Sequence, residues 1–187
     1  MELLYHRDFI GTGSNLFTNH QHFSDIPVAC GEIMKSSFFK TLFAGLAGGA
    51  ALNLAMLLTF RLFGFGWNGG GILLDPSIQS HKLIAVWTQM EPIPLIVSYP
   101  APIIAGLFLF GIGHAFIYQW LSPAWPSGIR ARTWRLAALV FFLSFLFWEF
   151  FTPFTQFGEP LLLIGLELIF WSLIALAGAF TIAVVLK

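Results

Sequence analysis

The chain has 187 residues, of which 57% are hydrophobic and 10% are charged, and its formal net charge is zero. Soluble domains carry about a quarter charged residues, and a core of this size cannot hide so much apolar surface from water. The composition therefore excludes an ordinary water-soluble domain. The neutral charge also gives no basic footprint for nucleic acid, and the single cysteine, Cys30, excludes an intrachain disulfide and a CxxC site.

Residues 1–33 lack the hydrophobic periodicity of the rest of the chain. Met34 then opens "MKSSFFKTLFAGLAGG", which is typical of the start of a bacterial membrane protein. We hypothesise that residues 1–33 are a misannotated extension or a disordered tail, and that 34–187 form the transmembrane domain. His20 and His22 form an H-x-H pair in the tail, but their spacing matches no closed metal site, so we predict no metal site there.

Four segments supply the roughly 20 apolar residues that a helix needs to cross a bilayer. They cover residues 41–60, 99–121, 134–152 and 160–186. The sequence therefore predicts an all-α polytopic membrane protein built as a four-helix bundle, with the lipid bilayer as its main partner.

The basic residues are distributed unequally between the two sides of this arrangement. Only Arg61 and Lys82 fall on one side. The other side holds Arg7, Lys35, Lys40, Arg130, Arg132, Arg135 and Lys187. Because cytoplasmic loops carry the excess of Lys and Arg, we predict a multi-pass protein of the inner (plasma) membrane with both termini in the cytoplasm.

The long connection between the first two spans faces outward in this topology. Asp75 can cap a helix that has Pro76 at its first position, and apolar residues recur near helical spacing after it. We predict an amphipathic helix over 76–90 on the outer membrane surface. A re-entrant hairpin is the alternative, because "PIPLIVSYPAP" follows. The prolines of that stretch exclude one continuous long helix.

Small residues mark where the spans can approach each other closely, since helices in lipid associate by close packing and hydrogen bonds. The first span offers Gly45, Gly48 and Gly49, and the second offers Gly106 and Gly113. We expect these glycines to pack helices together. Asn53, near the middle of the first span, is expected to bond across to another helix.

Three acids, Glu149, Glu159 and Glu167, fall in or beside the last two spans, all in the outer half of the bilayer. Ionised acids are costly in hydrocarbon and mark candidate sites for ions or protons. We expect Glu159 to complement the N-terminus of the fourth span and Glu149 to reach water at the interface. Glu167 is expected to point inward, either neutral or bonded to Asn53 or a serine, with a structural and a functional role both open.

His114 lies in the second span, in the opposite half of the membrane from Glu167, so a single His–Glu site is not expected. Bis-histidine haem ligation needs a second histidine in the spans, and there is none. Gly111 and Gly113 leave room for a porphyrin with one ligand as an alternative. The ordinary interpretation is a hydrogen bond to a carbonyl or a neighbouring helix, and we assign no cofactor.

The stretches "MKSSFFKTLFAGLAGGAALNLAM" and "FGIGHAFIYQWLSP" resemble small bacterial four-helix integral membrane proteins of unknown function. The resemblance covers residues 34–187. It implies the four-span topology and adds no activity.

No catalytic motif is visible, so an enzyme is not favoured. The leading hypothesis is a non-enzymatic accessory or structural subunit of a membrane complex, paired with other membrane subunits or with copies of itself. The alternative is a proton- or cation-handling carrier or channel. It would use the three glutamates at an outer vestibule, His114 on the inner side and Asn53 between them. A membrane enzyme or redox protein that uses His114 is the third possibility.

Overall fold

The computed structural model describes the backbone of residues 26–187 and the side chains from residue 37 onward. His20 and His22 lie outside the described residues. The first helix begins at Ile26 and runs to Met56, so helical backbone continues through the predicted boundary between residues 33 and 34.

Four helices of the described chain are long and apolar enough to cross a membrane, and this confirms the predicted all-α, four-span architecture. We name them span 1 (Ser37–Gly64), span 2 (Ala101–Ala124), span 3 (Ile129–Phe157) and span 4 (Leu161–Val185). Each of the first three reaches a few residues beyond its predicted apolar core at one end or both, because a helix continues after the hydrophobic stretch until a glycine or proline stops it.

The two ends of the bundle differ in chemistry. Arg130 lies at the beginning of span 3, whereas Glu159 follows the end of that span, which is 29 residues long. At 1.5 Å per residue a helix of this length is about 40 Å long, so Arg130 and Glu159 belong to opposite ends of the span. We call these the arginine end, which also holds Arg132 and Arg135, and the glutamate end.

Spans 1 and 2 approach closely through glycine. A β-carbon added at Gly111 would lie 2.5 Å from the Gly49 nitrogen and 2.6 Å from the Gly45 carbonyl oxygen. Gly48 faces the other way, where an added β-carbon would lie 2.6 Å from the side chain of Ile182 in span 4. Span 1 therefore uses its glycine ridge on two sides, against span 2 and against span 4.

The glycines predicted for span 2 do not take part in this packing. A β-carbon added at Gly106 or Gly113 would meet nothing within 4 Å among the described residues. Gly111, two residues before Gly113, contacts span 1 instead. Asn53 does bond across the helices as expected, since its Nδ2 donates to the Ile104 carbonyl at 3.3 Å as well as to Gly49 of its own helix at 2.9 Å.

Span 4 lies between spans 1 and 3 and presents its buried stripe to both. The buried residues recur at intervals of three and four, which is the period of one helix face. They are Leu163, Ile164, Glu167, Phe170, Ile174, Ala175, Gly178, Ala179, Ile182 and Ala183. One carboxylic acid is therefore part of an otherwise apolar face that packs inside the bundle.

Span 3 contains a π-helical turn, Phe141–Phe145, which changes the spacing between its buried residues. Before the turn, Leu136 and Val140 are buried at a spacing of four; after it the next buried residue is Phe145, five residues on. A π turn holds one more residue than an α turn, so the inward face is maintained. Phe142, Leu143 and Phe147 are exposed on the outer surface of the helices instead.

A second π turn, Phe150–Phe154, contains Pro153. Proline has no N–H and its ring collides with the carbonyl one turn earlier, so a regular α-helix cannot form around it. The Phe150 carbonyl, in the same turn, accepts from both the backbone N–H of Thr155 and its hydroxyl, the latter at 2.6 Å. Gly158, with φ of 65°, then takes the left-handed conformation that ends the helix and turns the chain toward span 4.

The connection between spans 1 and 2 differs from the predicted helix over 76–90. The observed helix is His81–Thr88, and Ser80 is its N-cap, since the Ser80 hydroxyl accepts from the Leu83 N–H at 3.2 Å. Asp75 instead closes a local turn by accepting from Ser77. A separate short helix, Leu95–Ser98, precedes span 2 in the proline-rich stretch.

Candidate functional site: three buried glutamates

Three acids from different parts of the chain meet at the glutamate end. Glu149 belongs to span 3, Glu159 to the turn after it, and Glu167 to span 4. One carboxylate oxygen from each lies within 4.8 Å of the others. The side chains are 2%, 2% and 8% exposed, respectively. We call these three residues the glutamate cluster.

Three local features of the chain place these side chains inward. Glu167 lies on the buried stripe of span 4. Glu149 is four residues after the buried Phe145, so it lies on the same inward face of span 3. The π turn Phe141–Phe145 sets the direction of that face. Glu159 follows Gly158, whose left-handed backbone folds the turn back onto the bundle.

Two expectations about the acids were wrong. Glu149 does not reach water, because it is only 2% exposed. Glu159 directly precedes Pro160, the N-cap of span 4, which makes no side-chain capping bond, so the complement of its charge to that helix end stays a prediction. Asn53 is also not the partner of Glu167, since its amide bonds to backbone carbonyls.

Neutral donors hold one oxygen of two of the carboxylates. The Trp171 indole Nε1 donates to Glu149 Oε1, and the Gln79 amide Nε2 donates to Glu159 Oε1 at 2.6 Å. The second oxygens, Glu149 Oε2 and Glu159 Oε2, are buried and have no hydrogen-bond partner among the side chains and backbone that the structure describes. Such orphaned polar atoms are rare in folded proteins and call for an explanation.

Aromatic packing fixes the Trp171 donor. Its ring stacks on Phe145 with centroids 4.3 Å apart and planes 19° apart, and lies 4.6 Å from the ring of Phe60. The indole is therefore clamped between spans 1 and 3. Because the ring has little freedom to turn, its N–H stays aimed at Glu149.

The connection between spans 1 and 2 covers the cluster from its own end of the bundle. Gln79 is 5% exposed and is itself held by bonds to the Leu73 carbonyl and the Ser80 N–H. The Ser80 hydroxyl donates to the Phe157 carbonyl at 3.0 Å, and Lys82 Nζ donates to the Gln156 carbonyl at 2.6 Å. We call residues 79–83 the cover segment.

The hydrogen-bond donors that contact the acidic side chains of the cluster are uncharged. The donors that reach Glu149 and Glu159 are an indole and an amide, and neither carries a charge. Burial raises the pKa of Glu159 above its ordinary value; the Gln79 bond opposes this shift, and the nearby Glu149 adds to it. The three acids are therefore crowded together, and no positive side chain of the described residues is in hydrogen-bond contact with them.

The other predicted site residues lie elsewhere. His114 Nδ1 lies 2.7 Å from the Phe110 carbonyl of its own helix, and the histidine is not part of the cluster. This matches the expectation that His114 and Glu167 do not share a site. Two further titratable residues of the connection between spans 1 and 2 are exposed: His81, and Glu91, whose Oε2 accepts from the Ile93 N–H.

Gln79 and the donor role of Trp171 were missed in the sequence. Trp171 follows Glu167 by four residues and so shares its helix face, but the indole reaches across to Glu149 in span 3, and helical spacing alone does not show that contact. Gln79 is 80 residues from Glu159. No periodicity connects them, since the contact depends on how the connection folds back.

Removing the indole N–H tests the hydrogen bond that Trp171 donates to Glu149. We expect Trp171→Phe to keep the ring stacked on Phe145 but to leave both oxygens of buried Glu149 without a donor. An unsatisfied buried acceptor costs about 1–3 kcal/mol, so unfolding of the detergent-solubilised protein should shift to lower denaturant. Trp120→Phe is the matched control, because Trp120 is 83% exposed. Equal shifts in both variants would contradict the role of the N–H.

The glutamate cluster can bind either protons or a metal cation. Carboxylate oxygens accept protons, and they are also the ligands that hard cations prefer. Comparisons with protein-family models, with curated proteins and with solved structures found no match to this chain. The geometry of the glutamate cluster is therefore the basis for assigning a function.

Proposed function

We propose that this chain is an integral membrane protein that takes up and releases cations, either protons or metal ions, at the glutamate cluster, as a carrier or part of a channel. The observation that carries the proposal is the pair of buried, unpartnered oxygens, Glu149 Oε2 and Glu159 Oε2. Each lies on a carboxylate whose other oxygen is already held in place.

The energetic reason is the cost of burying acids without partners. An ionised carboxylate removed from water is strongly destabilised unless it is paired. Three such groups within 4.8 Å also repel one another. A proton or a cation relieves both the desolvation and the repulsion, so a site of this kind favours positive ligands.

The distribution of basic residues supports an orientation for the site. Arg130, Arg132 and Arg135 lie toward the beginning of span 3, whereas Glu159 follows its end, and arginine-rich loops remain in the cytoplasm. In this proposal the arginine end is cytoplasmic, and the cluster with its cover segment faces the outer side of the inner membrane. Cations would enter from that side.

A flux assay tests the function directly. Proteoliposomes that contain a pH indicator or a Ca²⁺ indicator should show cation entry with the unaltered protein. We expect Glu167→Gln to reduce the rate at least tenfold, because it removes the central acid while keeping the shape of the side chain.

Glu91→Gln is the matched control, since Glu91 is an exposed acid outside the cluster. Its flux should equal that of the unaltered protein. The function would be rejected if Glu167→Gln and Glu149→Gln both left the flux unchanged.

A non-enzymatic subunit of a membrane complex is the second candidate. It is favoured by the open faces at Gly106 and Gly113, where an added β-carbon meets nothing among the described residues. Smooth glycine faces let a second helix approach closely in lipid, and the helix of another copy of this chain is the simplest occupant. Cross-linking from cysteines placed at Gly106 and Gly113 would test it, and a purely monomeric pattern in native lipid would argue against it.

A further inference from the structure

We infer that the glutamate cluster binds a single divalent cation of the oxygen-preferring class, such as Ca²⁺ or Mn²⁺, through Glu149, Glu159 and Glu167. The inference rests on the proposed function and names the ligand of the same site. It is carried by the spacing of the oxygens, by the two unpartnered atoms and by the chemistry of the donor set.

The spacing suits one ion. The ligand oxygens of the three acids lie within 4.8 Å of one another. Ca²⁺ binds oxygen at about 2.3–2.6 Å, so two ligands on opposite sides of one ion stand about 4.6–5.2 Å apart. Three oxygens with this spacing have a common centre within about 2.8 Å of each, so a small side-chain adjustment brings all three to the Ca²⁺–oxygen distance.

The hydrogen bonds resemble the outer contacts of a metal site. Carboxylates that ligate a metal are usually oriented by hydrogen bonds from residues behind them. Trp171 and Gln79 provide such bonds to Glu149 Oε1 and Glu159 Oε1. The second oxygens, on residues that are 98% buried, have no hydrogen-bond partner among the described residues. They are therefore free to contact an ion.

The ligand type decides the class of cation. Within the described residues, the group of potential metal ligands contains three glutamates and no histidine or cysteine. All-oxygen donor sets favour Ca²⁺, Mg²⁺ and Mn²⁺, whereas Zn²⁺ and Cu²⁺ prefer nitrogen and sulfur. The ion also neutralises two of the three possible negative charges, and a single proton can neutralise the third.

Mn²⁺ is the probe for the test, because electron paramagnetic resonance distinguishes free from bound Mn²⁺. The full chain, purified in detergent and stripped with a chelator, is titrated with Mn²⁺. We expect one ion per chain, displaced by Ca²⁺. Glu149→Gln and Glu159→Gln should weaken binding at least 100-fold. Trp171→Phe should weaken it about 10–100-fold through the lost outer hydrogen bond, and Glu91→Gln should not change it.

The same variants distinguish the metal site from the transport function. Circular dichroism confirms that each variant is folded. Absence of bound Mn²⁺ up to about 1 mM, the weak end of protein calcium sites, overturns the inference, as does unchanged binding in Glu149→Gln. If no Mn²⁺ binds while Glu167→Gln still abolishes proton flux, the metal assignment fails and the proposed function stands. If Mn²⁺ binds while flux is unaffected, the metal site stands and the transport function fails.

Discussion

Replacing Gly111 by leucine is expected to force spans 1 and 2 apart. Even the first added carbon would lie 2.5 Å from the Gly49 nitrogen and 2.6 Å from the Gly45 carbonyl oxygen. These are backbone atoms, and they cannot turn aside as a flexible side chain does. Overpacking a tight contact costs about 1–3 kcal/mol and sometimes more. We place Gly111→Leu at the upper end, at about 3 kcal/mol, measured by denaturant unfolding in detergent.

Gly113→Leu is a closely matched control. It is the same substitution, two residues away in the same helix, at a position where an added carbon meets nothing within 4 Å among the described residues. Substitutions at such open positions usually change stability by less than about 0.5 kcal/mol. A similar loss of stability in both variants would show that the effect arises from the loss of glycine and not from the contact between the spans.

Converting Gln79 to glutamate is expected to destabilise the protein in a pH-dependent manner. The amide Nε2 that donates to Glu159 at 2.6 Å would become an oxygen. The change removes the bond that opposes the raised pKa of Glu159 and adds a fourth acid to the buried group. A buried acceptor left without its donor costs about 1–3 kcal/mol, and more when the group is charged, so we expect a loss of about 3 kcal/mol at neutral pH.

The sign of the pH dependence follows from the raised pKa. A folded chain that holds the Glu159 proton to higher pH than the unfolded chain has its full stability in acid. It loses that contribution as the pH rises through the folded pKa. Gln79→Glu raises the pKa of Glu159 further, so the loss still begins at the unfolded pKa but continues to higher pH and is larger in total. In acid, where the two carboxyls are protonated and can share a hydrogen bond, the variant should approach the stability of the unaltered protein.

Thermal unfolding in metal-free detergent buffer, repeated from acid to neutral pH, measures this effect. Gln89→Glu is the control, because it makes the same chemical change at an exposed position beside the helix His81–Thr88. Its stability should follow that of the unaltered protein at every pH. A pH-independent loss in Gln79→Glu would contradict the role of the contact with Glu159.

The number and position of the spans could be predicted because they depend on a property that is local in sequence. About 20 apolar residues in a row cross a bilayer whatever surrounds them, and the structure has a long apolar helix at each predicted segment. The glycine ridge of span 1 was also visible, because Gly45, Gly48 and Gly49 share helix faces. The partner glycine was not, since choosing Gly111 over Gly113 requires the rotation of span 2 about its axis.

Only part of the glutamate cluster could be predicted from the sequence. The sequence placed three acids at the same end of the bundle, but it could not show that they converge. Regular α-helical counting from Val140 places residues 144 and 147 inward, whereas the structure buries Phe145 and Glu149. The π turn causes this difference, and no residue pattern marked it. The contact between Gln79 and Glu159 was also hidden, because it depends on how a long connection folds against a distant turn.

The π turn at Phe141–Phe145 has a consequence for tolerance to insertions and deletions. It accommodates one surplus residue, so removing a single exposed residue such as Leu143 would restore an ordinary α turn. Val140 and Phe145 would then be four positions apart, and the acid beyond them would keep its inward direction. Adding a residue in the regular segment Ile129–Val140 would instead rotate everything beyond it by about 100° and turn that carboxylate out of the bundle. The length of span 3 is thus constrained unequally along its course.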